Sequence, residues 1–261
     1  MDLKKNDAPC LSIIMPALNE EESIFLSVES CLESLDIYEV SGEIIVINDG
    51  STDKTQNIVE SFLIRDSRVR VIKNEKPQGI GSSFWKGVDN AKGQAVVMLP
   101  GDNENDPFET LRYVKLIDHV DIIVPFIFNK EVRSLFRNLL SYVYRFIINS
   151  TFLVNFNYTN GTIIYRTSLL KELENRSAGF FFQTDILIRS VKNGYLFVEV
   201  PQKLCKRKSG DSSAVSFPSL LNVMRGYIKL VKDHYYGQKN RPSAKENFYS
   251  RDSATAKRRN D

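Results

Sequence analysis

Three short segments gather side chains that can hold charge: Pro16–Glu20, Asn48–Asp53 and Pro100–Asp106. Each follows an apolar run. The first carries Asn19 and Glu20, the second Asp49 and Asp53, and the third Asp102, Glu104 and Asp106 among Asn103 and Asn105. Asp and Asn also lead among helix caps, and that role suits Asp53. It does not account for Asp102 and Glu104. So many oxygen donors on one loop suit a hard cation, Mg2+ or Mn2+, shared with a diphosphate. Farther on stand Lys203, Lys206, Arg207 and Lys208, followed by Ser209-Gly-Asp-Ser-Ser213. Cations and hydroxyls on a glycine-bearing loop suit phosphate binding, although a solvated charge run has the same composition.

Several other chemistries are excluded. Gly79-Ile-Gly81 is followed by Phe84 where a dinucleotide fingerprint needs a third glycine. The sequence contains neither a P-loop nor a G-x-S-x-G nucleophile elbow. His119 and His234 are the only histidines, and Cys10, Cys31 and Cys205 form no CxxC pair. A His-rich zinc site and a disulfide framework are therefore not expected, and a reducing compartment fits.

The loops need elements to position them, and the first half of the chain supplies these in strict alternation. Apolar runs at Leu11–Met15, Glu43–Ile47, Val69–Ile72, Ala95–Leu99 and Asp121–Val124 read as strands. Asn19 is expected to cap a helix that turns Ile24, Phe25, Val28, Leu32 and Leu35 inward, with Glu20, Glu21 and Glu22 in its first turn. Ser51 or Thr52 should cap the next helix, with Ile58, Val59, Phe62 and Leu63 inward. Gly79-Ile-Gly81 opens a helix over Phe84–Asn90, and Pro107 suits N1 of another running through Leu111, Val114 and Ile117. Strands and helices at this spacing imply βαβ units and a mostly parallel sheet with helices on both faces. Ligands of such sheets bind beyond the carboxyl ends of the strands, where the three loops lie.

The second half is less regular. Glu131–Ile148 reads as an amphipathic helix with a basic edge at Arg133, Arg137 and Arg145. Thr162–Tyr165 and Tyr195–Val200 read as strands, Asp185–Lys192 and Phe217–Val231 as helices. Residues 1–9 form an N-terminal extension, residues 10–236 a single α/β domain, and residues 237–261 a basic, disordered tail.

At 261 residues, 42% hydrophobic and 26% charged, the chain has the composition of a folded soluble domain. The tail holds seven Lys/Arg against three Asp/Glu, which leaves the body near −1 within a net charge of +3. A near-neutral body argues against nucleic acid as a partner. The N-terminus does not read as a signal peptide, and Arg137 and Arg145 interrupt the longest apolar stretch, Leu135–Phe156. The sequons at Asn149, Asn157 and Asn160 carry no weight without a secretory signal.

Ile14-Met-Pro-Ala-Leu-Asn-Glu20, Ile45-Val-Ile-Asn-Asp-Gly-Ser-Thr-Asp53, Gly79-Ile-Gly81 and Val97-Met-Leu-Pro-Gly-Asp102 together resemble glycosyltransferase family 2. Within it the chain is most similar to the dolichyl- and polyprenyl-phosphate sugar synthases, over about Leu11–Ser213. The resemblance implies a GT-A (Rossmann-like) fold, a nucleotide-diphosphate sugar donor and transfer with inversion. Pro16, Ala17, Glu20, Asp49, Gly50, Gly79 and Asp102 would line the nucleotide-sugar site. The family's D-x-D falls on Pro100-Gly101-Asp102, so its first Asp is missing, and Glu104 stands where relatives often have a Gln ligand. Asp102 and Glu104 would hold the metal. Arg137 and Ser141 repeat an R-x-x-x-S spacing used near an acceptor phosphate. Arg207 and Ser212 match an R-x-x-G-x-S loop that closes on both phosphates, with Ser213 where Lys is usual. Gln183-Thr-Asp185 occupies the place of an F-Q-x-[DE] segment. The implied catalytic set is Asp102, Asp185 and Arg207.

The acceptor stays open between a polyprenyl phosphate, already an anion, and a glycan hydroxyl, which needs Asp185 as base. A third alternative is a nucleotide-sugar-binding relic that has lost turnover with its first Asp. Glu131–Ile148 and Phe217–Val231 could rest on a membrane surface, pack in the core or form a dimer seam. A cytoplasmic location, peripheral to the membrane, is the expectation.

Overall fold

The computed structural model describes residues 9–132, 134–179, 181–204 and 217–236. The N-terminal extension up to residue 8, Arg207–Ser213 and the basic tail lie outside the described residues. Seven strands form one sheet: β1 (Leu11–Ala17), β2 (Gly42–Asn48), β3 (Val69–Lys73), β4 (Ala95–Met98), β5 (Ile122–Ile127), β6 (Ile164–Arg166) and β7 (Phe197–Gln202). Their order is β3-β2-β1-β4-β6-β5-β7, and all pair in parallel except β6, which runs antiparallel to both β4 and β5. β1 and β2 pair in register from Leu11↔Gly42 to Ala17↔Asn48, so the loops after these strands leave the sheet side by side.

Period-two alternation sends successive side chains to opposite faces, and both faces are covered. Ile14, Ile45, Ile47, Val96 and Ile122 face α3 (Ile80–Asn90) and α7 (Phe182–Lys192). Ile13, Met15, Ile44, Val46 and Val97 face α1 (Ile24–Ile37) and α2 (Thr55–Arg65). Each such side chain, fully buried, contributes about 1.5–3 kcal/mol. At the amino edge of the sheet Glu43 is buried. Its carboxylate accepts from the Ser12 hydroxyl (2.7 Å), the Lys92 amide (2.8 Å) and Arg70 (2.6 Å). Burial works against the charge, but these bonds outweigh it and hold Glu43 below the usual carboxylate range.

Several helix boundaries differ from the sequence expectation. α1 starts at Ile24 with Ser23 at its N-cap, so Glu20, Glu21 and Glu22 lie ahead of the helix, not in its first turn. Asn19 adopts φ 56° and caps nothing of its own. Phe25 is exposed, as is Leu63 on α2. Neither Ser51 nor Thr52 caps α2. Lys54 stands at the N-cap position without a side-chain cap bond, and Asp53 just ahead of it accepts from the Thr55 amide (Oδ1, 2.9 Å), so Asp53 is not the cap either. The helix expected through Ile117 is split into α4 (Pro107–Leu111), capped by Asp106, and a 3-10 turn at Val114–Asp118. The short α6 (Thr167–Glu172) went unread in the sequence.

The largest difference is α5, which runs over Leu135–Phe152. Only Ile148 and Phe152 of this helix are buried. Leu135, Phe136, Leu139, Leu140, Tyr142, Val143, Phe146 and Ile147 are all between 41% and 88% exposed. Core packing, one reading of this segment, therefore fails for most of its apolar face. α8 (Phe217–Tyr236) covers the far end of α5, where Thr151 and Tyr227 share a hydroxyl bond of 2.7 Å.

Candidate functional site

The loops after β1 and β2 are laced together. The Asn19 amide donates to Ser51 Oγ (3.0 Å), and Asn19 Oδ1 accepts from the Thr52 amide (2.9 Å). The Glu20 amide donates to Thr55 Oγ1 (2.8 Å). Glu21 and the 53–54 segment exchange a reciprocal pair: the Glu21 amide reaches Asp53 Oδ2 (3.1 Å), and the Lys54 amide reaches Glu21 Oε2 (3.0 Å). The polar residues of both motifs thus satisfy exposed amides of the opposite loop. The left-handed backbone of Asn19 turns its side chain across the gap.

Asp49 ties this pair to a third loop. Its carboxylate is buried and accepts from Asn74 Nδ2 (2.7 Å), the Gln78 amide (2.9 Å) and the Gly79 amide (2.8 Å). Lys86 on α3 in turn donates to Asn74 Oδ1. A cavity of about 390 Å³ opens here, lined by Lys73, Asn74, Lys76, Gln78 and Lys86 among others. Gly50 and Gly79 both lie at positive φ, 81° and 91°. A Cβ on Gly50 would also stand 3.0 Å from the backbone at Lys76 and Pro77. Gly81 is needed for a different reason: a Cβ there would lie 2.3 Å from the Ala178 carbonyl.

Pro16 and Ala17, at the end of β1, contribute backbone. The Pro16 carbonyl accepts from the Gly101 amide (2.9 Å) and the Ala17 carbonyl from the Asp49 amide (2.8 Å). The Gly101 carbonyl accepts from Ser23 Oγ (2.8 Å) and Ser27 Oγ (2.9 Å), which pins the Pro100–Asp102 turn to the start of α1. Ser23 Oγ also lies 2.7 Å from Glu20 Oε2. Asp102 Oδ1 accepts from the Glu104 amide (3.0 Å), across Asn103 at φ 55°.

These contacts bring Glu20, Asp102 and Glu104 to one rim. The Glu20 carboxyl is pushed above its usual range by burial first, against the Ser23 hydroxyl, and then by the charges of Asp102, Asp53 and Glu104. Among the described residues no three His, Cys, Asp or Glu side chains converge closely enough to hold a metal by themselves. Two carboxylates with phosphate oxygens completing the shell is the usual arrangement for Mg2+, so the donor set fits a cation shared with a diphosphate.

The second-half candidates are held by contacts of their own. Arg137 is exposed and Ser141 half-buried, one turn apart on α5. Gln183 forms a two-bond clamp on the Gly161 backbone, and Thr184 bonds Asn160 (3.0 Å) and Tyr144 (2.8 Å). Burial pushes the Tyr144 hydroxyl up to about 12. Asp185 is 4% exposed and accepts from Arg189 Nε (2.9 Å), whose Nη2 reaches Asp233 on α8 (2.7 Å). Burial outweighs the pull of Arg189 and Lys229 and keeps the Asp185 carboxyl above the usual carboxylate range. Ser23, Ser27, Asn74, Lys86 and Tyr144 all shape the site, yet sequence reasoning passed over them. A lone Ser or Lys on a helix carries no signal of what it faces.

The sheet order and the acidic rim at its carboxyl edge define an α/β protein of the GT-A class. Glucosyl-3-phosphoglycerate synthase of Mycobacterium tuberculosis, crystallised with Mn2+, UDP-glucose and phosphoglyceric acid, shares this fold. Its TM-score is 0.60 at 21% identity, with 86% of this chain and 79% of that one covered. Residues 12–174 match the family model of Glycosyl transferase family 2, and the chain belongs to that family. A dodecaprenyl-phosphate galacturonate synthase of Rhizobium johnstonii is 26% identical over 168 residues, 63% of this chain and 50% of the relative. An undecaprenyl-phosphate 4-deoxy-4-formamido-L-arabinose transferase of Edwardsiella ictaluri is 25% identical over 218 residues, 82% of this chain and 65% of the relative. The chain spans about half to two thirds of the length of these curated relatives.

Proposed function

We propose that the chain transfers a sugar from a nucleotide-diphosphate sugar to a polyprenyl phosphate, with inversion at the anomeric carbon. The observation that carries this is the gathering of Glu20, Asp102 and Glu104 at the carboxyl edge of the sheet, beside the laced β1 and β2 loops. The names of the relatives, both transferases or synthases on polyprenyl phosphates, support the acceptor. Pro16, Ala17, Glu20, Asp49, Gly50 and Gly79 frame the nucleotide. Asp102 and Glu104 would hold Mg2+ or Mn2+ with the diphosphate, and such a cation would supply charge neutralisation for the leaving group. Arg137 and Ser141 receive the acceptor phosphate. One acceptor oxygen attacks the anomeric carbon as the bond to the nucleoside diphosphate breaks, so no proton need be removed.

The setting of Asp185 favours this over a hydroxyl acceptor. A general base must reach the proton that it takes. The Asp185 carboxylate is buried and already accepts from Arg189, so it orients the segment and does not deprotonate. The test is transfer from a panel of UDP-, GDP-, CDP- and dTDP-sugars with Mn2+, using polyprenyl phosphate, for the wild type and Asp185→Asn. A lipid-linked sugar is expected, with the variant within about tenfold of wild type. A loss of about 10²–10⁴-fold would give Asp185 a part in the chemistry that a phosphate acceptor does not require, and would overturn the orienting role. Nucleotide binding without turnover on any acceptor would mark a binding relic.

A further inference from the structure

Ser23 occupies the N-cap of α1 but makes no cap bond there. A serine in that position ordinarily satisfies an exposed amide of the first turn. Here its hydroxyl is directed elsewhere, 2.8 Å from the Gly101 carbonyl and 2.7 Å from Glu20 Oε2. One turn on, the buried Ser27 brings a second hydroxyl to the same carbonyl at 2.9 Å, with the Ser23 carbonyl at 3.1 Å as its other acceptor. Both hydroxyls converge on one backbone oxygen.

That oxygen governs the acidic rim. A peptide unit is planar, so the Gly101 carbonyl, the Asp102 amide and the Asp102 Cα move together. The Gly101 amide is fastened to the Pro16 carbonyl at 2.9 Å. A Cβ on Gly101 would stand 2.6 Å from Ile24 Cδ1 and 3.3 Å from Ala17 Cβ, so the residue is packed as well as bonded. Asp102 Oδ1 in turn accepts from the Glu104 amide at 3.0 Å, which joins Glu104 to the same turn. The direction in which both carboxylates leave the backbone follows from where the Gly101 carbonyl is held.

The hydroxyl protons are fewer than the acceptors in reach. A serine hydroxyl has a single proton. Ser23 can give it to Glu20 or to Gly101, and a carboxylate makes the stronger bond of the two. While Ser23 donates to Glu20, Ser27 alone holds the carbonyl. A ligand hydroxyl donating to Glu20 takes up part of that carboxylate's charge and shifts the Ser23 proton toward Gly101. We propose that Ser23 and Ser27 are the positioning residues of Asp102, and that Ser23 links the turn to the nucleotide: a nucleotide hydroxyl on Glu20 moves the Ser23 proton to Gly101 and firms the Asp102 turn. The fastening by the two serines stands on their bonds alone. Its link to a nucleotide and a cation rests on the transfer proposed above.

The experiment is amide hydrogen exchange over residues 99–106 for the wild type, Ser23→Ala, Ser27→Ala and the double variant, with residues 28–37 of α1 as the control. Without ligand, Ser27→Ala should speed exchange over 99–106 by about five- to tenfold and Ser23→Ala by less than about threefold, with the control unmoved. UDP, GDP, CDP and dTDP are then screened with EDTA present, and the one that raises the wild-type melting temperature most is kept. It should slow exchange over 99–106 by at least about threefold in the wild type and leave Ser23→Ala unchanged. With the same nucleotide, the double variant should bind Mn2+ about 10–100-fold more weakly, its metal-free nucleotide affinity staying within about twofold. Ser23→Thr keeps the hydroxyl and should match the wild type throughout. Unchanged exchange over 99–106 in the double variant overturns the fastening. Faster exchange with undiminished Mn2+ affinity overturns the positioning of Asp102. Equal nucleotide effects in the wild type and Ser23→Ala overturn the link through Ser23. A wild type that binds none of the four nucleotides overturns the nucleotide reading and the link with it, and one that binds a nucleotide but no Mn2+ overturns the cation reading; exchange without ligand decides the fastening in both cases.

Discussion

Residues 11–106 and residues 107–236 treat their surface in opposite ways. In the first region the polar side chains of the strand-end loops are spent on one another. Asn19, Glu21, Asp49 and Asp53 all accept from backbone amides of neighbouring loops. Beside these bonds lies the narrow acidic rim of Glu20, Asp102 and Glu104. In the second region the polar groups turn inward, as at Tyr144–Thr184–Asn160 and Asp185–Arg189–Asp233, while apolar side chains face out along α5. A donor carrying charge needs a preset polar cradle. An acceptor carried on a long apolar chain needs a greasy approach. Under the proposed transfer, the division between the halves would match that difference in ligand chemistry.

The contrast breaks most easily at Asp102. Asp102→Ala should abolish transfer, a loss of about 10³-fold or more, because on the proposed reading a cation on the leaving diphosphate would lose a ligand. Near-normal turnover in a single-turnover assay would remove the acidic rim from the mechanism. Next in size is Gly81→Ala. Its methyl group meets the Ala178 backbone, which is not free to swing aside, and overpacking of this kind costs about 1–3 kcal/mol. Thermal unfolding should show a fall of several degrees. An unchanged midpoint would mean that the 174–179 segment yields freely.

Lys86→Met sharpens the comparison by loosening the donor side alone. It frees Asn74 and so slackens the clamp of Asp49 on Gln78 and Gly79. Steady-state kinetics should show KM for the nucleotide sugar raised severalfold at nearly constant kcat. A fall in kcat instead would place Lys86 nearer the chemistry. Glu43→Gln touches neither ligand side. Glu43 is held below its ordinary range, so its stabilisation is fully present above about pH 4.3 and fades as pH falls through the lowered folded value. The variant should be less stable by about 1–3 kcal/mol at pH 7, and the gap should narrow near pH 3 in denaturant titrations.

How much of this was legible varied with the physics involved. Alternating apolar runs gave each strand of the first half to within a few residues, because buried parallel strands must be continuously apolar. The antiparallel β6 was not foreseen as such, since three residues carry no mark of direction. Asn19 was misassigned because a cap and a bridge to another loop use the same side chain. Only the positive φ tells them apart. Gly81 reads as part of a turn, whereas the approach of Ala178 that requires it lies about a hundred positions on in the chain. Periodicity located α5 but could not say which way its apolar face points. Of its apolar residues, Ile148 and Phe152 went inward and eight others outward.

The reciprocal bonds between the β1 and β2 loops bear on how tightly a donor can be held. Loops that must be ordered by their ligand charge that ordering against its affinity, at about 0.5–1.5 kcal/mol for each side chain immobilised. Here Asn19, Glu21, Ser51 and Asp53 are already fixed by their neighbours. A nucleotide bound as proposed would meet a template set in advance, and discrimination between bases would then rest on shape and not on rearrangement.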